Sequence, residues 1–276
     1  MKLYKIGAIL AVVVCVITLV FSYLSWQDKL DNAVAKPEEV KAEASANKEQ
    51  QNGKTSEKEE ASSEEKKKET TGENSVNIQE LSANADGAIQ DLLMDRSENG
   101  ETIQLLIAGS AALESGEPGY AEQLKTSLEE AYGNFIEVDI VSIERTSEFI
   151  INIDLSADYD LVLLEPMTLM NNDRIAIEQE REHIKAFDAS VTAQVEDAVL
   201  VLHPPQPIYG AGYYLAQVSA LDEFAATNGY AYIDHWSKWP DTDDEELKEY
   251  LTEDGLPNDK GAQVWAEELQ AYFIAD

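Results

Sequence analysis

Five short apolar runs, alternating with stretches of helical character, constrain this chain more than any other feature. The runs are Thr102–Ile107 (TIQLLI), Phe135–Ile143 (FIEVDIVSI), Tyr159–Leu164 (YDLVLL), Asp197–Leu202 (DAVLVL) and Tyr230–Ile233 (YAYI). Helical patterns cover Pro118–Tyr132, closed by Gly133, then Asp173–Val195, Tyr213–Thr227 and Asn258–Ile274. Shorter helices are expected near Ala88–Met94, after a cap at Thr146, and in the acidic stretch after the fifth run. Continuous apolar strands need cover on both faces, and strands that alternate with helices run parallel. The predicted architecture is therefore α/β: a three-layer α/β/α sandwich around a five-stranded parallel sheet.

A parallel sheet presents its ligand-binding residues at the C-terminal ends of its strands. Those ends carry Gly109-Ser110, Glu165-Pro166, His203-Pro204-Pro205 and Asp234-His235-Trp236. A serine, a carboxylate and two of the three histidines thus gather on one rim. Each also has a plain structural reading. Ser110 suits a tight turn, Glu165 a polar strand end, and His203 the start of a proline-rich connector, HPPQPIYGAGYY (203–214). Trp236 and Trp239 fit packing as well as sugar stacking. The third histidine, His183, lies in a charged helical stretch and reads as solvated.

The first 75 residues have a different composition. Lys2 and Lys5 precede Ile6–Leu24, an apolar run that spans about 28 Å as a helix, enough for a bilayer core. Residues 1–26 are expected to anchor the chain, with the N-terminus cytoplasmic and the rest outside. The competing reading is a signal peptide cleaved near Ala33-Val34-Ala35. Residues 27–75 form a Lys/Glu/Ser-rich linker, too poor in apolar side chains to offset chain entropy. The folded domain is assigned to residues 76–276, where nine basic side chains face forty-one acidic ones. Such a surface repels nucleic acid, which is excluded as a partner. The DTDDEE run (241–246) lacks the spacing of a calcium loop and reads as a solvated helix start. Cys15 is the only cysteine, so no intrachain disulfide forms.

Two stretches carry a family resemblance: IAGSAALESGEPGY (107–120) and DGLPNDKG (254–261). Set in a domain of alternating strands and helices, they make residues 102–274 resemble the SGNH/GDSL hydrolases. The resemblance implies a flavodoxin-like strand order, 2-1-3-4-5, and places Ser110 where the family has its nucleophile. It makes Gly109 a candidate oxyanion donor, with Asn171 a second that reaches the site from farther along its loop than the family's asparagine, and it implies that Asp254 would orient the catalytic base. The sequence departs from the pattern at that base. The family block reads Asp-Gly-Leu-His-Pro-Asn, whereas Leu256 is followed directly by Pro257. Gly109 stands in place of the family's aspartate, and Glu165-Pro166-Met167 replaces the block that ends in the oxyanion asparagine.

A serine hydroxyl needs a base within hydrogen-bond reach to act as a nucleophile. The replacements available are His203, His235 and Glu165, the last because burial raises a carboxyl toward neutral pH. Tyr209, Tyr213 and Trp236 are candidates for the substrate pocket. Two functions follow. One is a membrane-anchored extracellular esterase or O-deacetylase that acts through Ser110 on envelope carbohydrate or lipid esters. The other is an inactive descendant of the fold that binds or scaffolds envelope polymers. Neither calls for a cofactor or a metal ion.

Overall fold

A computed structural model describes residues 77–275. The anchor expected at residues 1–26 and the linker expected at 27–75 lie outside those residues. Among the described residues no helix is long and apolar enough to cross a membrane.

Helices α1 (Ile78–Leu81) and α2 (Gly87–Asn99) precede the sheet. Then follow β1 (Ile103–Gly109), α3 (Tyr120–Tyr132), β2 (Ile136–Ser142) and β3 (Leu161–Leu164). The remaining elements are α4 (Thr168–Asn171), α5 (Ile177–Gln194), β4 (Val199–Leu202), α6 (Tyr214–Asn228), β5 (Ala231–Tyr232) and α7 (Asp259–Phe273). All strand pairings are parallel, in the order β2-β1-β3-β4-β5. The expected α/β sheet and its strand order are both present.

Strand alternation sorts the core into two layers. Leu105, Ile107, Leu161, Leu163 and Val201 face α2, α3 and α7. Leu106, Ala108, Val162, Leu164, Leu200 and Leu202 face α5 and α6. Trp265 of α7 lies fully buried between two rings, with Tyr120 at 4.0 Å on one side and His235 at 4.3 Å on the other.

The N-terminal ends of the strands are tied by one side chain. Arg96, near the end of α2, donates to Asp160 before β3 (2.8 Å) and twice to Asp197 before β4 (2.7 and 2.9 Å). Asp160 in turn accepts the Gln104 N–H of β1 at 2.9 Å. The Asp197 and Asp160 hydrogen bonds raise the Arg96 pKa despite its burial, so the guanidinium stays charged.

Several short elements differ from expectation. The segment after Thr146 is a 3₁₀ helix, Ser147–Asn152, and the acidic stretch is another, Glu245–Tyr250. Asp244 begins the latter by accepting the Glu246 N–H at 2.9 Å, so the acidic run does serve as a helix start.

Candidate active site at the C-terminal edge of the sheet

Parallel register brings three rim residues into line. The Glu165 N–H donates to Ala108 O (2.9 Å) and the His203 N–H to Leu164 O (3.2 Å). Gly109, Glu165 and His203 therefore sit side by side on adjacent strands. Alternation turns all three toward the layer covered by α3 and α7. Gly109 has no side chain there, and Glu165 fills the space. A Cβ on Gly109 would stand 2.4 Å from Leu113 Cδ1, 2.8 Å from Glu165 Cβ and 3.0 Å from Glu165 Oε2.

This packing puts the fully buried Glu165 carboxylate directly beneath Ser110. Glu165 Oε2 accepts the Ser110 N–H at 2.7 Å, and Oε1 accepts the Met167 N–H at 2.8 Å. Met167 adopts a left-handed backbone, φ 59°, which is strained for a bulky residue and costs about 1–3 kcal/mol. The bond to Glu165 and the complete burial of Met167 hold it there. Burial raises the Glu165 pKa, opposed by the hydrogen bonds from the Ser110 and Met167 N–H groups.

Ser110 is 6% exposed, and its Oγ accepts the Ala112 N–H at 3.3 Å as it caps the 3₁₀ turn Ala111–Glu114. Among the described residues, no imidazole is hydrogen-bonded to it. His203 and His235 instead converge on one backbone oxygen, that of Pro204. His203 Nδ1 lies 3.2 Å from it and His235 Nε2 lies 2.8 Å from it. A carbonyl only accepts, so each of those nitrogens carries the proton. His235 Nδ1 then accepts the Trp239 Nε1–H at 3.1 Å, which leaves that ring no free nitrogen. His235 is thus placed as a structural residue rather than as a base.

His203 keeps a bare Nε2, but that atom is buried and has no partner. Its ring packs edge-on against Tyr120, Trp265 and His235, and burial lowers its pKa to about 3. His235 is pushed well below the usual imidazole value by burial and by its neighbour His203. Two strand spacings of about 4.8 Å separate His203 from the serine strand, backbone to backbone.

The remaining expected site residues lie elsewhere. Asn171 is not at the serine: its Oδ1 accepts the Ser147 N–H, and its Nδ2 donates to Ser147 Oγ (3.0 Å) and Glu180 Oε2 (2.6 Å). With both amide hydrogens engaged there, it has no donor for an oxyanion at Ser110. Asp254 is exposed and hydrogen-bonded to neither rim histidine. Trp236 donates to Pro205 O at 2.7 Å and packs on Tyr214, fixing the proline-rich loop. Tyr209 lines a cavity on the rim, while Tyr213 stands outside it, 66% exposed. His183, read as solvated, is hydrogen-bonded with Ser147 Oγ at 2.9 Å. That contact belongs to a buried network in which Thr168, Asn171 and Arg181 all donate to Glu180.

The block that lacks the family histidine retains an architectural role. Asn258 caps α7 through the N–H groups of Lys260 and Gly261, at 3.0 and 3.2 Å. Gly261 lets Tyr250 O and the Trp239 ring approach to distances that a Cβ would forbid.

No protein-family model matches the chain, and no curated protein sequence matches it. Solved structures do. A candidate lipolytic protein of the G-D-S-L family from Desulfitobacterium hafniense DCB-2 superposes with a TM-score of 0.50 at 16% identity. That match covers 62% of this chain and 99% of the other. A carbohydrate esterase family 3 structure from Talaromyces cellulolyticus gives 0.51 at 11% identity, covering 61% and 95%. The fold is that of the SGNH/GDSL hydrolases.

Proposed function

We propose that this chain is a ligand-binding domain built on the SGNH hydrolase fold. It is held at the cell surface by its N-terminal apolar segment and takes carbohydrate or lipid molecules of the envelope that bear acyl or acetyl groups. The observation that carries this reading is the 2.7 Å bond from the Ser110 N–H to Glu165. A backbone donor at the nucleophile stabilises the oxyanion of an acyl-transfer intermediate when it is aimed at the reacting carbonyl. Here it is aimed at an internal carboxylate. The structural roles of His235, Asn171 and the last block support the same reading.

A second reading, an esterase or O-deacetylase acting through Ser110, is favoured by a different observation. The Glu165 carboxyl lies buried directly beneath Ser110, and burial raises its pKa. A carboxylate in that position can serve as the base for the serine. The fold it shares with esterases adds weight to this alternative.

Treatment with a serine-directed fluorophosphonate, together with turnover of an acetyl ester, separates the two. The binding reading predicts equal background labelling of the wild type and Ser110→Ala, with no turnover from pH 6 to 10. Labelling and turnover lost in Ser110→Ala would establish the hydrolase, and Glu165→Gln would then abolish activity as well.

A further inference from the structure

Of the nine basic side chains in the folded domain, seven stand within 3.8 Å of a carboxylate. With forty-one acidic side chains present, such pairing is the default. Arg145 and Arg174 have no carboxylate partner among the described residues. Both stand at the C-terminal rim, Arg145 in the loop after β2 and Arg174 in the loop after α4. Asn171 ties these two loops together through its hydrogen bonds with Ser147.

Arg145 also lines a cavity of about 290 Å³. Val141, Ile143 and Phe149 supply apolar lining, and Arg145, Asn152 and Glu144 supply polar lining. The Arg145 guanidinium lies 4.7 Å from the Phe149 ring centroid, a cation–π contact that restrains this side chain. Arg145 and Asn152 are both exposed, and neither side chain has a hydrogen-bond partner among the described residues. Their N–H donors are therefore open to a ligand in the cavity. The serine turn adjoins it: Ser142 registers with Gly109, and the Ile143 N–H donates to Gly109 O at 2.8 Å.

A guanidinium presents a planar fork of donors that matches a carboxylate. Its surroundings limit how much negative charge it can accept. Glu144 shares the lining, and Glu148 and Asp154 are exposed in the same segment. A polyanion or a doubly charged phosphate would meet more repulsion than one arginine offsets. The volume lies near the lower end of the roughly 300–1,000 Å³ of small-molecule sites, so the occupant is small.

We infer that this cavity is a subsite for a single carboxylate borne on a sugar ring, as in a hexuronate. The carboxylate sits on the Arg145 fork, and a sugar oxygen accepts from the Asn152 amide. The carboxylate requirement goes beyond the proposed function, whereas the sugar ring rests on its carbohydrate-binding reading.

Calorimetric titration of the full-length chain with glucuronate, glucose, glucose 6-phosphate and cyclohexanecarboxylate tests it. Glucuronate should bind about tenfold more tightly than glucose, because charge-assisted hydrogen bonds exceed neutral ones. It should also bind more tightly than glucose 6-phosphate, which carries more charge, and than cyclohexanecarboxylate, which lacks hydroxyls. Arg145→Gln should erase the advantage over glucose. Arg145→Lys keeps the charge without the fork and should restore only part of it. Both variants change an exposed side chain, so their unfolding midpoints should match the wild type. Equal binding of glucuronate and glucose, or an advantage that survives Arg145→Gln, would overturn the carboxylate subsite. Tightest binding of glucose 6-phosphate would overturn the limit to one charge. Cyclohexanecarboxylate binding as tightly as glucuronate would refute the sugar ring and leave the carboxylate subsite standing. Ser110-dependent ester turnover in the same preparation would refute the binding reading separately.

Discussion

The two ends of the sheet solve the same problem in opposite ways. At the N-terminal ends, Arg96 meets Asp160 and Asp197 with short hydrogen bonds, and Asp160 passes its second oxygen to the Gln104 N–H. At the C-terminal ends, the buried polar groups are left partly unpaired. His203 Nε2, Tyr120 Oη, Trp265 Nε1 and Gln206 Oε1 all lack partners, and Met167 is strained. Buried polar atoms are normally satisfied, and exceptions concentrate at functional sites. The contrast sets a charge-paired end of the sheet against the rim on which the proposed function rests.

Breaking the satisfied end should have the largest effect. Arg96→Met leaves Asp160 without its charge partner and should cost about 3 kcal/mol in denaturant unfolding. A loss near zero would mean that the guanidinium contributes little net stability.

The unsatisfied end should reveal itself through pH. The folded-state pKa of His203, about 3, lies below the ordinary 6.5, so the fold favours the neutral ring. As pH falls through about 6.5, the unfolded chain takes up a proton that the folded chain refuses, and stability is lost. His235 contributes in the same direction. Between about pH 7 and pH 5, His203→Gln should gain roughly 2 kcal/mol relative to the wild type. Parallel stability profiles for the two proteins would show that His203 is protonated in the fold.

Smaller effects sharpen the comparison. Asn258→Ala removes the α7 cap and should cost about 1 kcal/mol in thermal or denaturant unfolding. Ser110→Ala removes one long hydrogen bond to Ala112 and should change stability by no more than about 0.5 kcal/mol. A larger loss would give the hydroxyl a structural weight that its 3.3 Å contact does not suggest.

Much of the fold was legible in the sequence because apolar alternation carries it. Each expected strand overlaps an observed one, although the first runs on past Ile107 to Gly109 and Tyr230–Ile233 shrinks to a two-residue strand at the sheet edge. Helix α4 was not read because it begins from left-handed Met167, a conformation that no local residue pattern announces. The rim residues were legible as strand ends, but their partners were not. Period-two alternation from Leu163 to Glu165, next to the missing side chain of Gly109, was a usable signal for the carboxylate beneath Ser110. The convergence of His203 and His235 on the Pro204 carbonyl had none, since it depends on how two loops meet. Ser147 and His183 were likewise separated in sequence and joined only by the packing of α5 against the loop after β2.

The central claim is that the Ser110 N–H is held by Glu165, and its exchange with solvent tests that directly. Amide hydrogen exchange at Ser110, in the wild type and in Glu165→Ala, should show strong protection in the first and much faster exchange in the second. Ready exchange in the wild type, or protection unchanged when Glu165 is removed, would contradict it and return that donor to an oxyanion.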